Sequence, residues 1–162
     1  MINTAKVAGR RRLQFHSAEE MMKDVATIEA AARRGSLRQL GNWSPGQCLG
    51  HLASWVDYAY DGYPPGLGAP WFIKLILRLA KKRFLRGPLK AGVKIPRTEH
   101  GTFGIEPLSI EEGLARFRRA WKRLEASPPS RPNIIFGPMT HEEWIKINLR
   151  HAELHLGFLD PG

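Results

Sequence analysis

Cysteine is nearly absent: Cys48 is the one such residue among 162. A lone thiol cannot close an internal disulfide, so a disulfide scaffold is excluded, as are cysteine-rich zinc ribbons and cysteine-ligated iron–sulfur clusters. Any metal held by this chain must be held by nitrogen and oxygen. Long apolar runs are missing too, and with them a transmembrane segment. The stretch Met1–Phe15 is basic but no apolar run follows it, so no secretory signal is read there and a cytoplasmic location is expected. No strand pattern exceeds a few residues, and there is no internal repeat. Acidic residues are in short supply, 15 against 25 Lys and Arg, which leaves a net charge of +10. That excess attracts nucleic acid, anionic membrane or acidic small molecules without choosing among them. No nucleic-acid recognition motif accompanies it, so no specific nucleic-acid partner is expected.

What is present is helix punctuation. Hydrophobic residues make up 43% of the chain, enough to bury the core of one domain over residues 1–162, with 1–16 (containing Arg10, Arg11 and Arg12) as a basic N-terminal arm. Four segments open with a capping box, in which Ser or Thr and a Glu or Gln three residues on satisfy each other's backbone N–H groups. These are Ser17 with Glu20, Ser44 with Gln47, Ser109 with Glu112, and Thr140 with Glu143. Pro45 occupies the favoured first helical position after Ser44. The boxes predict helices over 18–34, 45–61, 110–126 and 141–159, stopped by Gly35, Gly62, Pro128–Pro129 and Pro161. After the breaker cluster 63–68, Trp71 to Leu85 reads as an extra amphipathic helix, and 87–108 as a long irregular connection. The expected fold is all-α, four capped helices with an excursion between the second and third.

Six histidines are available, and two of them set the argument. His151 and His155 stand at i and i+4, one turn apart on one helix face, where two imidazoles can aim lone pairs at one ion. Ala152 follows His151, so the HExxH metalloprotease motif is absent, and no Glu-x-x-His pair marks a di-iron site. Both histidines sit within the broad apolar surface of the last helix, near Trp144, Ile147 and Phe158, and His51 sits on the second beside Cys48 and Trp55. Three histidines on two core-facing helices can meet at one point. Hydrogen-bonded core histidines are the competing reading of the same spacing. His16, His100 and His141 read as a residue before a cap, a loop residue and an exposed first-turn residue.

Local motifs then carry a resemblance. Asn42-Trp43-Ser44-Pro45-Gly46-Gln47 with Leu49-Gly50-His51-Leu52-Ala53, and Glu143-Trp144 with Leu149-Arg150-His151-Ala152-Glu153-Leu154-His155-Leu156, resemble the second and last helices of the DinB-like (YfiT-like) metalloprotein superfamily. The whole chain resembles a branch classified only as a domain of unknown function. The resemblance implies a four-helix bundle, a single divalent metal on His51, His151 and His155, zinc or nickel being the ions imidazole suits, and a homodimer. It also implies a metal-dependent enzyme, a thiol-dependent transferase or isomerase or a hydrolase-like relative, with a small-molecule thiol or other anionic substrate. The alternative is a non-enzymatic metal-binding or stress-response protein.

Several residues remain ambiguous by position. Cys48, one turn before His51, reads as a small core residue, with a fourth ligand or a nucleophile as the other option. Gln47 and Glu153 are candidates to support the ligands, and Trp55 and Trp144 to wall a pocket above them. Lys74, Arg78, Lys81 and Lys82, with Arg116, Arg119, Lys122 and Arg123, read as solvated basic faces.

Overall fold

The computed structural model describes residues 2–68, 70–95, 98 and 101–162. It is mainly helical: α1 (Ala18–Arg33), α2 (Pro45–Asp61), α3 (Trp71–Leu79), α4 (Lys81–Arg86), α5 (Ile110–Ala126) and α6 (His141–Leu156). A two-residue antiparallel pair, β1 (Arg38–Gln39) with β2 (Leu159–Asp160), is the one sheet among the described residues, in register Arg38↔Asp160 and Gln39↔Leu159. Three capping boxes close in both directions, at Ser44/Gln47, Ser109/Glu112 and Thr140/Glu143. The fourth is displaced. Ser17 caps the Glu20 N–H at 3.1 Å, but the Glu20 carboxylate accepts the N–H of His16 at 2.7 Å. Helix α1 ends in a Schellman turn, Ser36 N–H to Ala31 O and Gly35 N–H to Ala32 O, with Gly35 at φ +71° where a side chain would be strained.

The four capped helices supply the core. Met21, Val25 and Ile28 of α1, Leu49, Leu52 and Val56 of α2, Phe117, Trp121 and Leu124 of α5, and Leu149, Ala152 and Leu156 of α6 are at most 3% exposed. Helices α2 and α5 share the most extensive contact, and glycine makes it possible. A Cβ on Gly113 would stand 2.7 Å from the Gly46 carbonyl oxygen, and one on Gly46 only 2.1 Å from that of Leu108. Neither site has room for a methyl group.

Two predicted boundaries move by more than one residue. The last helix stops at Leu156 rather than 159, because its final carbonyls find partners outside the helix. The Arg10 side chain donates to Leu154 O at 3.0 Å, Arg11 donates to Leu156 O at 3.1 Å, and the Arg11 N–H donates to Gly157 O at 2.9 Å. Leu159 then stays buried by pairing as a strand. The basic arm is thus fastened to the end of α6, with Arg11 also paired to Asp24 at 2.6 Å. The expected helix 71–85 is broken at Ala80, whose ψ of 0° departs from the helical value near −42°. The step redirects α4, so that Lys81 reaches Glu143 at 2.8 Å and Phe84 packs on the Phe136 ring at 5.4 Å. Neither α3 nor α4 contains a buried residue. Among the described residues no helix is long and apolar enough to cross a membrane.

Candidate metal centre

Helices α2 and α6 bring His51, His151 and His155 together, with one ring nitrogen from each lying within 4.8 Å of the others. Ring centroids are 5.0 Å apart for His51 and His151, 4.6 Å for His51 and His155, and 4.7 Å for His151 and His155. His51 is 2% exposed, whereas the α6 pair is partly buried.

Hydrogen bonding assigns the lone pairs. The His51 Nδ1 lies 2.9 Å from the carbonyl oxygen of Phe103, which can only accept, so Nδ1 carries the proton. In the neutral ring Nε2 is then a bare lone pair, and it lies 3.2 Å from Nε2 of His151. Burial pushes the His51 pKa down to about 4, against a smaller upward pull from the Phe103 carbonyl. Burial, then the neighbouring His51, holds His151 well below the ordinary histidine range. His155 is depressed in the same way, by burial first, then by His51, His151 and the cation of Arg10. Neutral, closely grouped imidazoles are what a divalent ion of borderline softness binds, and this donor set fits one.

Indole rings wall the cluster. Trp43 stacks on His155 at 5.0 Å with planes 16° apart, and tilts against His51 at 4.7 Å. Trp55 stands edge-on to His51 at 6.0 Å and to His151 at 5.9 Å, and its buried Nε1 has no hydrogen-bond partner among the described residues. Trp144, the other candidate for that wall, is a core anchor. Trp43 and Phe103 carried no periodic signal, since one precedes the α2 cap and the other lies in the irregular connection.

The expected supporting residues are engaged elsewhere. Gln47 closes the α2 cap and donates to Ile105 O at 3.2 Å. Glu153 accepts the Phe15 N–H at 2.5 Å and pairs with Arg150 at 2.7 Å, while Arg150 donates to Phe15 O. This clamp holds the arm to α6, and burial raises the Glu153 pKa. Cys48 is a core residue at 3% exposure, its thiol pushed up to about 12 by burial, and it stands outside the histidine cluster. His16 is exposed. The His141 Nε2 lies 2.5 Å from Leu124 O, joining the start of α6 to α5. His100 lies outside the described residues. On the basic face of α5, Arg123 is committed to Asp61 at 2.8 Å and lies over the Tyr60 ring.

No curated protein and no solved structure matches the chain. A family match runs over residues 7–162, nearly the whole length, and the chain belongs to that family, described as protein of unknown function (DUF1569).

Proposed function

We propose that this member of an uncharacterised family is a metal-dependent enzyme, its divalent zinc or nickel ion held by His51, His151 and His155. One observation carries the reading: three neutral imidazoles from two helices converge within 4.8 Å, and the tautomer of the deepest leaves its Nε2 lone pair facing its neighbours. Three protein nitrogens leave a coordination position open, as in catalytic zinc sites. A bound ion supplies Lewis acidity and lowers the pKa of a water or thiol held at that position. The DinB-like resemblance agrees with this ligand set, with a bundle made of α1, α2, α5 and α6, and with a thiol-dependent transferase or isomerase.

The chain's own residues supply the rest. The Phe103 carbonyl fixes the tautomer and orientation of His51. Trp43 and Trp55 exclude water from two sides, and the unpaired Trp55 Nε1–H is a donor for an acceptor brought into the site. Arg10 bears on His155 electrostatically and has a buried Nε without an acceptor, which suits an anionic co-substrate.

Metal analysis after reloading with zinc or nickel tests the ligands. The parent should bind one equivalent, and His151→Ala should bind none while keeping its far-ultraviolet circular dichroism. His16→Ala and His141→Ala should bind like the parent. A His151→Ala protein that binds as well as the parent overturns the ligand assignment. Adding a low-molecular-weight thiol to the nickel-loaded protein should shift its visible absorption; an unchanged spectrum marks a closed, structural metal and overturns the enzyme reading.

A further inference from the structure

Helix α3 carries an apolar face that the described residues leave uncovered. Trp71, Phe72, Leu75, Ile76 and Leu79 fall at i, i+1, i+4, i+5 and i+8, one stripe of a 3.6-residue helix. They are 77%, 50%, 51%, 58% and 80% exposed. Isolated exposed apolar residues are ordinary, but five on one face are not. Cations surround the stripe: Arg78 on α3 and Lys82, Arg83 and Arg86 on α4 are exposed. The sequence extends the bias. Between Asp61 and Glu99 lie nine of the 25 Lys and Arg residues and none of the 15 Asp and Glu residues, so this segment holds +9 of the net +10.

Charge decides between the occupants such a face admits. A second copy docked stripe to stripe would set two segments of +9 against each other, with no carboxylate in either to pair them, and like charges so placed are costly. An anionic bilayer answers both features. Its headgroups supply the missing negative charge, and the boundary between headgroup and acyl chain accepts an apolar stripe, most readily one with aromatic residues. Nine helical residues span about 14 Å, enough to lie in that boundary and far too short to cross it. We propose that α3 and α4 dock on the surface of an anionic lipid bilayer, with Trp71, Phe72, Leu75, Ile76 and Leu79 at the acyl boundary and the flanking cations on headgroup phosphates.

Vesicle flotation of the full chain tests it, with phosphatidylglycerol–phosphatidylcholine vesicles against phosphatidylcholine alone. The protein should float with the anionic vesicles at low salt and stay unbound with the neutral ones. The double substitution Leu75→Asp with Leu79→Asp should weaken partitioning by about a hundredfold or more. Charge reversal at Lys82 and Arg83 should weaken it by at least about fivefold for each cation. Both variants alter exposed positions, so their circular dichroism and size-exclusion volume should match the parent. Failure of the folded parent to float overturns the proposal, as does flotation that the Leu75→Asp/Leu79→Asp pair leaves unchanged. A parent that does not float but runs as a dimer, which the same pair converts to monomer, assigns the face to a second copy instead.

Discussion

Helices α5 and α3 are both strongly amphipathic, yet they meet opposite fates. In α5 the stripe Gly113, Leu114, Phe117, Ala120, Trp121 and Leu124 is buried throughout; in α3 nothing is buried. The apolar pattern is not what separates them. Helix α5 starts at a closed capping box, and Gly113 lets its backbone settle against Gly46 of α2. Helix α3 starts after Pro70 with no side-chain cap, and the break at Ala80 turns α4, not α3, toward α6. Periodicity therefore states that a face needs cover. Which surface covers it depends on backbone approach and on the charge beside the stripe.

The comparison is broken most directly in α5. Trp121→Ala should cost about 3–5 kcal/mol, lowering the melting temperature by roughly 10 °C. Gly113→Ala should also destabilise, by about 1–3 kcal/mol or more, because the added methyl meets the Gly46 backbone. Urea unfolding of each variant measures both, and parent-like midpoints would contradict the packing described.

A middle-sized effect belongs to the histidines, which are not equivalent. In metal-free protein, His51→Ala should cost about 2 kcal/mol, since it empties a buried position and strands the Phe103 carbonyl. His151→Ala, at a partly exposed position, should cost less than about 1 kcal/mol. Equal losses in chemical denaturation would show that the Phe103 link adds nothing to stability.

The smallest effect sharpens the contrast from the other side. Leu79→Lys on α3 should shift the unfolding free energy by no more than about 0.5 kcal/mol, because the side chain is 80% exposed in the folded protein. A loss near that of Trp121→Ala would mean that α3 is covered within the protein after all.

Helix starts were legible in the sequence to the residue, since a capping side chain declares its position locally: 18, 45, 110 and 141 open as expected. Ends were less legible. Leu159 continues the apolar stripe of α6, and only its pairing with Gln39, 120 residues away in the chain, removes it from the helix. Ala80 is a good helix former and gives no hint of a break. The grouping of His51, His151 and His155 could be anticipated, two from i, i+4 spacing and the third from its place on a core-facing helix. Trp43, Phe103 and Arg10 could not, because each acts from a segment without periodicity. Gln47 and Glu153 misled for the opposite reason: they lie on the ligand helices, but cap geometry and the Phe15 backbone claim them first.

The hydrogen-bonded pair His51 and His151 is separated by 100 residues in the chain. At about 5–20 residues per second of synthesis, His151 is made some five to twenty seconds after His51. In that interval the nascent chain holds only His51 of the three clustered imidazoles. The cluster is complete only once α6 exists and has docked, and the Arg10, Arg11 and Phe15 contacts that hold the arm to α6 need that same helix. Completion of the three-histidine cluster and docking of the basic arm on α6 thus depend on the same late-made helix.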